Sequence, residues 1–142
     1  MNIMSAIRVL IADDHALVRE SVRAILANES DIEIVAMAED GQQAIALTNT
    51  HHPDVVVMDI SMPKMDGIHA TEIIYRNEST TGVVILSMHV NAALVQQALR
   101  MGARGYVLKR QASDELPKAV RAAYEGHLFL SSAIPQDFLP RP

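Results

Sequence analysis

Asp13-Asp14, Asp59, Ser87 and Lys109 are the side chains of this 142-residue sequence whose types best suit chemistry at an anionic group. Asp59 stands out by its setting. It follows Val55-Val56-Val57-Met58, a run without polar partners that suits a strand buried on both faces of a parallel sheet, and it precedes Ile60-Ser61-Met62-Pro63. Inside such a strand a carboxylate carries a heavy desolvation penalty. At the strand's carboxyl end it can face the crevice where open α/β sheets place their ligands. Three carboxylates gathered there repel one another unless a cation sits between them or one takes up a proton. Oxygen donors with room left for water suit Mg²⁺ better than Ca²⁺, with Mn²⁺ able to stand in. A carboxylate can also be a nucleophile toward phosphorus, and phosphoryl transfer asks for positioning and charge neutralisation more than for covalent help. Mg²⁺ would bridge Asp13 or Asp14 and a phosphoryl oxygen, Lys109 would add a second positive charge, and the Ser87 hydroxyl would donate to a third oxygen.

The elements that must position these residues alternate in type. Residues 7–12 predict a first strand, ending at Asp13-Asp14-His15, and Leu17, Val18, Val22, Ile25 and Leu26 predict a helix by their spacing. A weaker strand over 32–38 is followed by a helix to about residue 50, and His51-His52-Pro53-Asp54 is a stop signal. After the valine strand and a loop to Gly67 comes a third helix through Ile68, Ile73 and Ile74. Residues 82–87 predict a fourth strand, Asn91 starts a helix that Gly102 ends, and 105–108 predict a short fifth strand. Ser113 is expected to cap the last helix, with Asp114 and Glu115 in its first turn, Pro117 near its start, Leu116, Val120, Ala123 and Tyr124 on its buried side, and Gly126 at its end. Residues 129–142, with three prolines and no periodicity, read as a linker or tail, and residues 1–6 as an N-terminal extension.

Five strands alternating with five helices predict an α/β, doubly wound parallel sheet in the flavodoxin-like order 2-1-3-4-5, with helices on both faces. In that order Asp13-Asp14, Asp59, Ser87 and Lys109 all fall at carboxyl ends of strands 1, 3, 4 and 5, on one edge of the sheet.

Composition narrows the function classes. The length suits one domain with a full core, and 49% hydrophobic with 20% charged residues is ordinary for a globular protein. No apolar run approaches the roughly 20 residues of a membrane helix, and the N-terminus lacks the pattern of a signal peptide. The absence of cysteine fits a reducing, cytoplasmic setting. A net charge of −5 argues against this chain gripping nucleic acid by itself.

Asp13-Asp14, the run Asp59-Ile60-Ser61-Met62-Pro63-Lys64-Met65-Asp66-Gly67, Ser87, and Gly105-Tyr106-Val107-Leu108-Lys109 together resemble the receiver domain of two-component response regulators. The resemblance covers about residues 7–128, and its specificity lies in several motifs occurring in the right order. It implies that Asp59 is the phosphoacceptor, and that Asp13, Asp14 and Asp59 hold Mg²⁺ with the backbone carbonyl of Ser61. It implies that Ser87 is the switch hydroxyl, Tyr106 the switch aromatic and Lys109 the phosphate-pairing cation. The implied partner is a sensor histidine kinase, with self-phosphorylation and autodephosphorylation rather than turnover of a substrate. Leu86-Ser87-Met88-His89 and the Gly105–Lys109 run look most like the subfamily carrying a LuxR/NarL-type helix-turn-helix. That output domain is not in this sequence, which reads as a receiver fragment or a stand-alone receiver. Transcriptional output and DNA contact would then belong to the absent domain, and a homodimer on phosphorylation is expected. Many receivers place proline after the lysine, but Arg110 stands here, so either a trans peptide or a strained cis one is expected.

Other readings compete. Asp13-Asp14 could cap the first helix, Ser87 and Lys109 could be ordinary strand-end groups, and Tyr106 could be packing. A haloacid-dehalogenase-type phosphatase also forms an aspartyl-phosphate, but wants an aspartate two residues after the nucleophile, where Ser61 stands. A flavin protein of the same fold wants a glycine- and hydroxyl-rich loop after strand 1, where the acids would repel phosphate. A degenerate receiver that only docks to partners would not need the full set of acid, hydroxyl and lysine. His15 and His89 are expected to rim the crevice, His51-His52 to be solvated, and the methionines to fill gaps. The helix over 91–101 carries apolar residues on two sides (Ala92, Val95 and Leu99; Leu94, Ala98 and Met101), which suggests a dimer or output surface.

Overall fold

The computed structural model describes residues 6–139. Short, largely apolar runs form β1 (Ile7–Ala12), β2 (Ile32–Ala38), β3 (Val55–Asp59), β4 (Gly82–Ser87), β5 (Gly105–Leu108) and β6 (Phe129–Leu130), the first four rich in β-branched residues. Amphipathic stretches between them form α1 (Ala16–Ala27), α2 (Gly41–His51), α3 (Gly67–Asn77), α4 (Ala92–Arg100) and α5 (Ala112–Tyr124). All strand pairs are parallel, in the order β2-β1-β3-β4-β5-β6. The expected doubly wound order is therefore present, with one short strand added at the β5 edge. Among the described residues, no helix is long and apolar enough to cross a membrane.

Side chains alternate along each strand, so each sheet face collects one parity. Leu10, Ala12, Val56, Met58, Val83, Ile85, Tyr106 and Leu108 build a core with residues of α2, α3 and α4. Val9, Ile11, Val55, Val57, Val84, Leu86 and Val107 build the other core with α1 and α5. Asp40, Asp66 and Asn91 cap α2, α3 and α4, accepting the backbone N–H groups of Gln43, His69 and Leu94. Arg121 of α5 clasps Asp31 with two hydrogen bonds of 2.8 and 2.9 Å and also bonds Glu29, tying α5 to the α1–β2 turn. The guanidinium holds the Asp31 carboxyl below the usual range.

Several local expectations need correction. Ser113 does not cap the last helix. A 3₁₀ turn over Lys109–Gln111 runs directly into α5, whose N-cap is Gln111, leaving Ser113 exposed inside the helix. Pro117 consequently sits in the second turn, buried. The competing reading of Asp13-Asp14 as caps of α1 also falls away, since its N-cap is His15, without a side-chain bond. Leu17 and Tyr124, expected inside, are exposed. The Lys109–Arg110 peptide is trans.

The largest correction concerns the expected linker. Phe129 and Leu130 pair with Gly105 and Tyr106, Ile134 is buried with the α4 residues Val95 and Ala98, and Phe138 packs on the same core. A 3₁₀ turn at Gln136–Phe138 lies against α4. The reason is chemical: Phe129, Leu130, Ile134 and Phe138 are apolar at spacings that neither a helix nor a strand template picks out. They bury one at a time across the edge of β5. Residues 1–5 of the expected extension and 140–142 of the expected tail lie outside the described residues. Ile134→Ala is expected to destabilise the domain by about 2–4 kcal/mol in denaturant unfolding, as for a core residue. A change below about 0.5 kcal/mol would return this segment to linker status.

Candidate functional site

The parity rule also sets the site. Asp13 continues the odd residues of β1 that face α1 and α5, Asp59 those of β3, and Lys109 follows Val107 on that same side. β1 and β3 are paired with Ala12 opposite Met58, so the next residues, Asp13 and Asp59, emerge side by side. Lys109 reaches them from the end of β5, its Nζ 3.1 Å from Asp59 Oδ1 and 3.3 Å from Asp13 Oδ2. Both acids are almost fully buried, at 2% and 6% exposure, so an ammonium between them relieves a charge that water scarcely reaches.

Ser87 continues the Val83–Ile85 alternation of β4 and shares with Tyr106 the face that packs on α4. Ser87 Oγ accepts the His89 N–H at 3.1 Å, and the fully buried Tyr106 donates its hydroxyl to the His89 carbonyl at 3.2 Å. Burial pushes the Tyr106 phenol up, against the opposing effect of the Ser87 hydroxyl. His15, Asp59, Ile60, Ser61, Ser87, Met88, His89 and Lys109 line one cleft of about 120 Å³. Each strand-end residue singled out from sequence is thus brought to one edge, and both expected rim histidines stand at it. His52 is exposed as expected but not merely solvated: its Nδ1 lies 2.7 Å from Glu78 Oε1.

The electrostatics leave negative charge in excess. One ammonium faces three carboxylates. Burial, and then the charge of Asp13, push the Asp59 carboxyl up, against the pull of Lys109. Burial disfavours the Lys109 ammonium, but attraction by Asp59 and Asp13 outweighs it, so Lys109 stays charged and is shifted up. Asp13, Asp14 and His15 can each turn a donor atom inward, all within 4.8 Å of one another. Asp14 Oδ1 is enclosed and 3.0 Å from His15 Nδ1, yet accepts no well-formed hydrogen bond. An under-satisfied carboxylate beside a second acid fits a hard divalent cation. Asp59, tied to Lys109, stands outside that tight set.

Gly67 is the functional position that sequence reasoning passed over. A Cβ there would lie 1.9 Å from the Asp59 carbonyl oxygen, and its N–H donates to the Ile60 carbonyl at 2.8 Å. The loop from Ile60 to Asp66 is therefore folded back hard against the end of β3. Gly41 does the same from α2, since a Cβ there would meet the Met65 carbonyl oxygen at 2.4 Å. The available signal was a glycine directly after the capping Asp66, where a helix start does not ordinarily need one.

Comparison with known proteins agrees with this geometry. The response regulator receiver domain family matches residues 9–121. The chain is similar to the transcriptional regulatory protein DegU of Brevibacillus brevis, 38% identical over 94% of this chain and 56% of that protein. It is also similar to the response regulator UvrY of Escherichia coli K12, 37% identical over 92% of this chain and 60% of that one. It thus spans somewhat over half the length of these relatives. A LuxR-family two-component response regulator from Aurantimonas sp. SI85-9A1 superposes with a TM-score of 0.89 at 34% identity, covering 94% of this chain and 96% of that one. The signal receiver domain of the putative response regulator NarL from Mycobacterium tuberculosis gives 0.83 at 37% identity, over 87% and 99%.

Two outcomes follow from the packing and charge of the site. Gly67→Ala is expected to lower stability by about 1–3 kcal/mol or more, since backbone rather than a flexible side chain must give way. Because the Asp59 pKa is raised by folding, the carboxyl binds its proton more tightly in the fold than in the unfolded chain. Its charge therefore costs stability progressively as pH rises from the unfolded value of 3.8 through the raised folded one. Asp59→Asn should remove that loss, raising the metal-free melting temperature at neutral pH by a few degrees and flattening its pH dependence across this window. A lower melting temperature for Asp59→Asn would contradict the charge balance described here.

Proposed function

We propose that this chain, which belongs to the response regulator receiver domain family and resembles its NarL/LuxR-type members, is a switch that accepts a phosphoryl group on Asp59. The observation that carries this reading is the Lys109 ammonium held between Asp59 and Asp13 at the carboxyl edge of the sheet. It leaves Asp59 buried, oriented and next to a transferable positive charge. An Oδ of Asp59 attacks phosphorus of a phosphohistidine on a sensor kinase, or of a small phosphodonor. The new O–P bond forms as the donor's bond to phosphorus breaks. With phosphohistidine the N–P bond breaks and the imidazole leaves with the electron pair, and with acetyl phosphate a P–O bond breaks and acetate leaves with it. Asp13, Asp14 and the Ser61 carbonyl would hold Mg²⁺, which supplies charge neutralisation between the acids and the phosphoryl oxygens. Lys109 shifts its pairing from the bare carboxylate to a phosphoryl oxygen, and Ser87 donates its hydroxyl to another, giving up its bond from His89 N–H.

Those new bonds bias the segment around His89, which also anchors the Tyr106 hydroxyl, and through it α4. Shifting a two-state equilibrium from 1:99 to 99:1 requires about 5.5 kcal/mol of differential interaction, of which charge-assisted bonds at Ser87 and Lys109 can supply a part. Receiver domains are signalling proteins rather than turnover enzymes, and Ser61 in place of a second acid agrees with that here. The further output we assign is transcriptional, the role stated in the name of the transcriptional regulatory protein DegU, through a DNA-binding domain, in the cytoplasm and with a homodimer as the active form.

Incubation with acetyl phosphate and Mg²⁺ should add one phosphoryl group to the wild-type chain by intact mass, and none to Asp59→Asn. Lys109→Ala should keep the acceptor but slow the reaction by about tenfold or more. Modification of Asp59→Asn at the wild-type rate would overturn the assignment.

A further inference from the structure

Ser131 stands where the end of β5, the helix α5 and the C-terminal segment meet. It is a buried polar residue, 1% exposed, that the proposed phosphoryl chemistry does not use. Its N–H donates to the Tyr106 carbonyl at 3.0 Å, and its hydroxyl accepts the Leu108 N–H at 2.9 Å. It therefore brackets the last residues of β5, directly before Lys109. Next to it, the Ser132 N–H donates to Glu115 Oε2 of α5 at 3.1 Å. The Ser131 carbonyl then accepts the Ile134 N–H at 2.9 Å, turning the chain so that Ile134 and Phe138 enter the core beneath α4.

Tyr106 is thereby shared between two contacts. Its side chain ends on the His89 carbonyl, two residues from Ser87, and its main chain ends on Ser131. Lys109 is one residue removed, because the Ser131 hydroxyl holds the N–H of Leu108, the residue before it. A change at the site that shifts the β5 backbone at Tyr106 or Leu108 is carried by these bonds to the segment over 131–139. Coupling requires an element whose arrangement both ends bias, and β5 with Ser131 has that form.

We propose that Ser131 is a positioning residue that couples the phosphoacceptor site to the C-terminal segment. Residues 131–139 are docked on β5 and α4 in the unmodified state and loosened when Asp59 is modified. The inference rests on the reading of Asp59 as phosphoacceptor. It differs from a purely structural role, in which Ser131 would satisfy a buried amide and nothing at the site would feel its loss.

Amide hydrogen exchange of the full chain, with and without beryllofluoride and Mg²⁺, tests it. In the wild type, beryllofluoride should slow exchange near Ser87 and speed it about threefold to tenfold over residues 131–139, the range for one net buried hydrogen bond. Ser131→Ala should exchange fast in that segment already and no longer respond there. By reciprocity its beryllofluoride affinity should also shift, by about threefold to tenfold. Ser131→Thr, which keeps the hydroxyl, should restore the wild-type affinity. A response at Ser87 without any change over 131–139 in the wild type overturns the coupling alone, as does an unchanged affinity in Ser131→Ala. No response at Ser87 in the wild type overturns the phosphoacceptor reading and the coupling with it.

Discussion

The ammonium of Lys109, lodged between the carboxylates of Asp13 and Asp59, is the contact that makes this edge of the sheet tenable. Without a cation there, two nearly buried acids would sit side by side at the ends of adjacent strands, and each would oppose ionisation of the other. The lysine answers that only in part, because Asp14 adds a third charge. The same shortfall of positive charge that strains the bare fold is what a divalent ion would supply. A site poised in this way is held by its surroundings rather than by its own contacts. The two cores above and below the sheet are what hold it.

Two neighbouring features turn that poise into a defined geometry. Gly67 lets the loop after β3 press against the Asp59 carbonyl, so the backbone bearing the acid has little freedom to relax away from its partners. Sheet parity divides the labour between the faces. The acids and Lys109 point toward the side of α1 and α5, while Ser87 and Tyr106 point toward α4. The charged groups and the Ser87–His89 segment then meet at the strand ends, where they line one cleft. The Tyr106 hydroxyl, held by the carbonyl of His89, links the fourth and fifth strands where those sides meet.

The segment after α5 changes how the edge of the molecule is understood. The apolar surplus on α4 that suggests a partner surface is met in part by the chain itself, through Ile134, Phe138 and the 3₁₀ turn at Gln136–Phe138. Any association through that face therefore competes with, or builds on, an intramolecular contact. The 3₁₀ turn over Lys109–Gln111 belongs to the same edge. By leading straight into α5, it keeps Lys109 at the strand end without a loop that could swing it away.

The sequence by itself determined the alternation of elements and the carboxyl-end placement of Asp13, Asp14, Asp59, Ser87 and Lys109. Those depend on side-chain periodicity and on polar residues appearing where apolar runs stop, both written along the chain. The helix start at Asn91 belongs to the same class, since a cap is a bond to a backbone group within three residues. Tertiary structure alone decided that one lysine bridges Asp59 and Asp13, that Gly67 is needed because a carbonyl lies against it, and that residues 129–139 belong to the domain. It also decided that Leu17 faces water and that Ser113 caps nothing. Each of these turns on a partner distant in sequence, or on competition for space among several elements, and neither leaves a repeating mark in the order of residues.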